Sequence, residues 1–341
     1  MAVLDKEICK EIFYDGAKAG SYNAFLNFVL GARSTGKTYF YKCKCIKDFK
    51  KSGKQFIYLR RFESEIKNVN KLFNDIINDD VFPDDKITCD GRVFKLNGEP
   101  MGYAICISKG LTLKGVSYDK VYNIIFDEFI IDEKKSFYRY LPDEVNNFLD
   151  IVSTVLRLRD GKVFLLSNTI SYVNPYFCYR DWNIKVNPKK KYQTFKNGMI
   201  LIEQYENNDF VEYAQNNSPL GRLTKGTQYG NYAFNNKVLR DDTTFIKKKN
   251  NNKYTHIKFN IKIGGSIYGV WEDNKNGEIF INKQPNKEYP IFCLSRDDMS
   301  PNMLLMTTNN YSMKLLRQAR NLGVLYYENV DIKYHVLEYL N

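Results

Sequence analysis

The apolar positions of the chain follow two different patterns. In the first half they come as short unbroken runs: residues 25–30 (FLNFVL), Phe56–Leu59, Tyr103–Ile107, Val121–Phe126 and Val163–Leu166. Runs of this length suit strands buried on both faces, and helical stretches separate most of them. Alternating strand and helix predict a largely parallel sheet covered on both sides. One helix is expected from Lys37 to about Phe49. The clearest one carries Val145, Phe148, Leu149, Val152, Val155 and Leu156 at helical spacing. It opens near Pro142 and stops before Gly161, which sets Arg157 and Arg159 in its last turn.

After residue 253 the pattern becomes strict alternation, with Ile257, Phe259, Ile261 and Ile263 set against Lys258, Asn260 and Lys262. This is the period of a strand with one buried face. Turn residues Gly264, Gly265 and Ser266 follow, then strands Ile267–Trp271 and Glu278–Asn282 joined by an Asn-Lys-Asn-Gly turn. Together they predict an antiparallel meander, with a helix near Ser312–Leu322 behind it. From about 183 to 253 the text is rich in Asn, Lys, Gly and Tyr with weak periodicity, and its later part reads as a linker. A chain of 341 residues exceeds the usual size of a single core. The expected organisation is an α/β domain over 1–210, a linker over 211–243 and a smaller domain over 244–341.

Composition narrows the class. With 43% hydrophobic and 26% charged residues, extensive disorder is not expected. The net charge of +12 favours a polyanionic partner, and this overall balance says more than the runs Lys189–Lys191 or Lys247–Lys249 taken singly. Seven Cys without a C-x-x-C pair, beside only His256 and His335, argue against a disulfide framework and against a zinc site. The opening MAVLDKEICKEIF lacks a signal pattern and no apolar run reaches the roughly 20 residues of a membrane span, so a soluble protein of a reducing cytoplasm is expected.

The candidate chemistry centres on residues 31–38, GARSTGKT, a full match to G-x-x-x-x-G-K-[ST] set between a strand and a helix. Gly31, Ala32, Arg33, Ser34, Thr35 and Gly36 form a loop whose amides can face phosphates; Lys37 reaches the β and γ oxygens, and the Thr38 hydroxyl suits Mg²⁺. The strand VYNIIF ends in Asp127 and Glu128. A metal and a water explain two acids at the tip of an apolar strand: Asp127 would hold Mg²⁺ through its water shell and Glu128 would polarise the attacking water. ATP and Mg²⁺ are therefore the expected cofactors.

Further groups are read beside alternatives. Ser167 and Asn168 end the strand VFLLSN, either as a γ-phosphate sensor or as an ordinary strand-to-turn ending. Arg157 and Arg159 are either partners of a helix C-terminus or a finger on a neighbouring subunit's nucleotide. Lys37 and Asp127 lie 90 residues apart with the Phe56–Leu59 run between them, which suggests that this run is a strand inserted between the two motif strands. That insertion, with a Glu beside the motif Asp, resembles the additional-strand catalytic-glutamate division of P-loop ATPases. The N-K-x-D motif of GTPases is absent. These residues alone fit a helicase or conjugation-type translocase as well as a packaging motor. A non-enzymatic, nucleotide-controlled scaffold is a further alternative, against which Glu128 speaks.

The strings NFVLGARSTGKT, QFIYLRRFE, NIIFDEFI, LSNTISYVNPYF and GRLTKGTQYG, in this order, closely resemble the DNA encapsidation ATPases of small short-tailed phages that replicate from a protein primer. The later string YGVWEDNKNGEIFI extends the similarity into the second domain. The resemblance implies a homopentameric ring at the portal vertex of a prohead in the host cytoplasm, fed by ATP, pumping double-stranded phage DNA and touching a structural RNA. It implies family roles for Lys37, Thr38, Asp127 and Glu128, and for Arg157 as a finger acting in trans. Lys114 falls where the family has a second trans-acting basic residue, and Arg60 where it has an arginine coupled to the catalytic glutamate. Arg33 is a further candidate for phosphate contact.

The implied fold is a P-loop ATPase domain with a mostly parallel sheet, followed by a smaller α+β domain resembling a catalytically inactive RNase H fold. The residues agree on one point: Tyr254–Ile263 contains no Asp or Glu to begin a two-metal cluster. Glu272, Asp273, Asp297 and Asp298 read as surface acids. The second domain is expected to bind RNA, DNA or a ring neighbour rather than to cut.

Overall fold

The short apolar runs form strands buried on both faces. In the computed structural model β1 (Leu26–Gly31) is buried along its whole length, and β6 (Val121–Asp127) and β7 (Lys162–Ser167) at nearly every position. The structure describes residues 12–113, 117–131, 140–169, 171–172, 174–227, 230, 245–263, 265–296, 298–307 and 309–340. The chain divides into two compact units, residues 1–172 with 182–240, and residues 173–181 with 241–341.

In the first unit β1, β6 and β7 are joined by β2 (Gln55–Arg60), β3 (Ile87–Asp90), β4 (Val93–Leu96), β5 (Glu99–Cys106), β8 (Tyr192–Phe195) and β9 (Ile200–Tyr205). Their order across the sheet is β3-β4-β5-β2-β6-β7-β1-β9-β8. The six strands from β5 to β9 in this order run parallel, while β3, β4 and β8 close the edges antiparallel. Helix α1 (Lys37–Ser52) lays Tyr41, Cys45 and Ile46 on a core with Val29, Phe56 and Phe164. Helix α2 (Glu144–Leu156) sets Phe148 against Phe126, ring centroids 5.8 Å apart. Burying such a side chain is worth about 1.5–3 kcal/mol, so the middle of the sheet is the stiff platform from which the loops project.

Three expectations need correction. The strand between the two motif strands is β7, not the Phe56–Leu59 run, which is β2 and lies on the far side of β6. Chain order does not fix sheet order. β6 and β7 pair directly as parallel neighbours, and β7 uses its other edge for β1. The second correction concerns Arg157 and Arg159, because α2 ends at Leu156 and Arg157 already leaves the helix with φ 51° and ψ −119°. Third, the stretch from 211 is not all linker. Helices α3 (Asn208–Asn217) and α4 (Pro219–Thr224) occupy its beginning. The Asn207 side chain caps the first by accepting from Asp209 and Phe210 amides, and Ser218 caps the second through Gly221. Residues 228–229 and 231–244 lie outside the described set.

In the second unit β10 (Thr255–Ile263), β11 (Ser266–Asp273) and β12 (Glu278–Asn282) form the expected antiparallel meander. Strands β13 (Ile291–Cys293), β14 (Leu304–Leu305) and β15 (Leu325–Tyr327) extend it to six, in the order β14-β13-β10-β11-β12-β15. The alternating face buries Phe259, Ile261 and Ile263 in a core with Leu316 of α5 (Tyr311–Asn321) and Ile332 of α6 (Val330–Leu340). Two of the acids expected at the surface are buried instead. Asp273 accepts from the side chains of Asn250, Asn252 and Asn276 and from the amides of Lys275 and Asn276. These bonds hold its carboxyl down to about 2. Asp298 accepts from the Gly265 amide and the Ser295 hydroxyl. Each carboxylate pins a turn, which is why it is buried. Glu272 pairs with Lys258 at 2.8 Å, and Asp297 lies outside the described residues.

Candidate active site

Strand β1 delivers Gly31 to the carboxyl edge of the sheet, and the chain then curls into α1. The curl needs left-handed backbone at Ser34 (φ 60°) and Gly36 (φ 89°), the second of which glycine adopts without strain. The Thr35 hydroxyl closes the turn by donating to the Ala32 carbonyl at 3.0 Å. Lys37, the first residue of α1, is 7% exposed and donates to the carbonyls of Gly31 at 3.0 Å and Ala32 at 2.6 Å. Burial pushes its ammonium down to about 7, opposed in part by Asp127. A buried cation beside the amino end of a helix is the arrangement that draws in phosphate. Arg33 and Ser34 are exposed at the outside of the turn.

The acids lie two strands away, across β7. Thr38 Oγ1 is 3.2 Å from each oxygen of Asp127, so the hydroxyl after the P-loop lysine and the carboxylate at the tip of β6 share one place. Asp127 also accepts from the Tyr58 hydroxyl at 3.1 Å. Burial raises its pKa, and the Arg60 guanidinium opposes this. Glu128 follows in left-handed backbone, φ 57°, with its side chain half exposed. Its Oε2 accepts from Arg60 Nη2 at 2.6 Å. The same Nη2 donates to Glu65 at 2.8 Å, and Nη1 is 4.0 Å from Asp127. Burial alone would lower the pKa of Arg60, but Tyr58 and the surrounding carboxylates raise it overall, so it is a permanent cation.

Beneath this pair Arg61 is 1% exposed, bidentate to Glu144 at 2.7 and 2.8 Å, and donates to the Phe129 carbonyl at 2.7 Å. It ties the loop after β6 to the amino end of α2. Asn168 follows β7, half-buried, between the strand of the P-loop and the strand of the acids. Its neighbour Ser167 is buried and donates to the Asn168 carbonyl at 3.0 Å.

The other basic residues separate. Arg159 is held by the carbonyls of Tyr118 at 2.8 Å, Val121 at 3.2 Å and Val155, so its guanidinium is occupied within its own chain, at the end of the helix as its first reading has it. Arg157 is 59% exposed and lies 3.9 Å from Asp119. Lys114 lies outside the described residues. Sequence reasoning missed Tyr58, Glu65, Arg61 and Glu144. A signal for Tyr58 was present: in QFIYLR it stands two residues before Arg60, hence on the same face of a strand.

The profile of the Podovirus DNA encapsidation protein (Gp16) family matches residues 8–340. A DNA packaging protein of Bacillus phage phi29 is 35% identical over 330 residues, which cover 95% of this chain and 96% of that protein. Among solved structures, a chain of the bacteriophage Phi-29 viral genome packaging motor assembly superposes with a TM-score of 0.69 at 34% identity, covering 97% of this chain and 100% of that one. The N-terminal domain of the DNA packaging ATPase from bacteriophage phi29 superposes with a TM-score of 0.53 at 39% identity, over 58% of this chain and 98% of that one. The agreement runs nearly from end to end and takes in both the P-loop and the acid-tipped strand β6, so the chain belongs to the podovirus DNA encapsidation protein family.

Proposed function

We propose that the chain is an ATP-driven motor that moves double-stranded viral DNA into a preformed prohead, with Glu128 as the general base of hydrolysis. The observation that carries this reading is the 3.2 Å approach of Thr38 to Asp127, with Glu128 next on the same strand tip. A hydroxyl and a carboxylate are hard oxygen donors suited to Mg²⁺, held through its remaining waters. Held by Thr38 and Asp127, such an ion would neutralise charge on the triphosphate.

Lys37 exchanges the Gly31 and Ala32 carbonyls for phosphate oxygens, and the P-loop amides hold the rest of the chain of phosphates. Glu128 parts from Arg60, accepts the proton of the attacking water and directs it in line with the leaving oxygen. Asn168, at the β7 tip, would sense the γ-phosphate. Arg157, exposed and weakly paired, completes the site of a neighbouring copy as a finger, where a fixed positive charge counts most at the transition state. The assembly is a ring, a homopentamer at the portal vertex. Its net charge of +12 favours contacts to DNA phosphates, which carry no sequence information and suit a motor that must move any sequence. The second unit, RNase H-like but without nuclease activity, meets a structural RNA or the ring neighbour.

The test is ATP turnover in the presence of double-stranded DNA. Glu128→Gln is expected to slow turnover by roughly 10²–10⁴-fold while leaving nucleotide affinity near that of the wild type. Turnover at the normal rate would overturn the assignment.

A further inference from the structure

Arg60 stands among three carboxylates, and one of them has no part in the chemistry described so far. Its Nη2 bridges Glu128 at 2.6 Å and Glu65 at 2.8 Å. The two glutamates differ in freedom. Glu65 is 14% exposed and fixed at its second oxygen by the Phe62 amide, 2.6 Å away, in the turn Glu63–Ile66 that follows β2. Glu128 is 51% exposed and stands in left-handed backbone at the start of a loop.

From this geometry we propose that Glu65 is a positioning residue: it is the fixed partner that keeps the Arg60 guanidinium paired when Glu128 leaves it to act on water. The proposal rests on Glu128 being the base and adds the means of its release. The Glu128 oxygen that would face a water is taken up by the Arg60 guanidinium at 2.6 Å, so the bridge must open before Glu128 can bind the attacking water. Opening it would otherwise strand a side chain that is only 13% exposed and whose Nε is already buried without a hydrogen-bond partner. Removing the partner of such a charge is strongly unfavourable. With Glu65 in place, Arg60 goes from two close carboxylates to one, and the release of Glu128 is correspondingly easier. Asp127, at 4.0 Å, is too distant to take over.

Glu65→Gln tests this, because the amide oxygen still accepts from the Phe62 amide while the charge is lost. The kcat of DNA-stimulated hydrolysis is expected to fall about tenfold, with KM, nucleotide Kd and Tm unchanged. Combining it with Arg60→Ala is expected to give a protein no slower than Arg60→Ala alone, since the residue acts only through that arginine. An unchanged kcat overturns the proposal. So does a fall in kcat that tracks a loss of Tm or of affinity, or a double variant slower than Arg60→Ala. If Glu128→Gln is slow and Glu65→Gln is not, this inference alone fails. If Glu128→Gln is itself normal, the underlying reading of the base fails first.

Discussion

Lys37 is a cation held almost out of water, with backbone carbonyls as its hydrogen-bond acceptors and a pKa pushed down to about 7 by burial. Phosphate oxygens would raise that pKa, so nucleotide binding near pH 8 should take up a proton. The sign follows from linkage: affinity should fall as pH rises from 7 to 9, by at most about tenfold per unit. Calorimetry in two buffers of different ionisation enthalpy checks this, and equal heats would contradict it. At this scale the sequence was most legible where chemistry is local, since the P-loop and the Asp127–Glu128 pair are each a contiguous stretch of sequence. It was least legible where a side chain answers to a distant one. Glu65 gains its meaning through Arg60 from Glu128, more than 60 residues on, and Asp273 and Asp298 read as surface acids because no local pattern reveals the turns they pin.

At the scale of elements, the site depends on how β6 and α2 are tied together. Arg61 and Glu144 form a bidentate pair whose side chains are 1% and 0% exposed, and Arg61 also holds the Phe129 carbonyl beside Glu128. Breaking such a pair from one side leaves an uncompensated buried charge. Arg61→Ala is therefore expected to lower stability by about 3–5 kcal/mol, as read from denaturant unfolding; a loss below about 1 kcal/mol would show that the pair does not hold the two elements together. Strands β1, β2, β5, β6 and β7 were predictable because burial on both faces imposes unbroken apolar runs, whereas β3, β4, β8 and β9 were not read, the last because Glu203 and Gln204 interrupt its apolar run. Strand order was not predictable, since β7 reaches its place between the motif strands through pairing on both of its edges. The helices after residue 207 escaped notice for another reason: their N-caps, Asn207 and Ser218, stand in a text otherwise typical of turns.

For the molecule as a whole, the change of hydrophobic period suggests a second domain from about residue 244, and nothing in the pattern points to residues 173–181, which group with residues 241–341. That segment is far in sequence from the rest of its unit, and composition gives no sign of it. Among the described residues no helix is long and apolar enough to cross a membrane. The basic balance of the chain and its membership of the encapsidation family point the same way, toward phosphate-rich DNA as the load. The most direct measurement of the central claim is nuclease-protected DNA in purified proheads supplied with ATP and with wild-type subunits mixed in increasing proportion with Glu128→Gln. If hydrolysis at this site in each member of a ring drives the DNA inward, protected DNA should fall more steeply than the wild-type fraction and vanish with the variant alone. Packaging at the wild-type yield by Glu128→Gln alone would contradict the account.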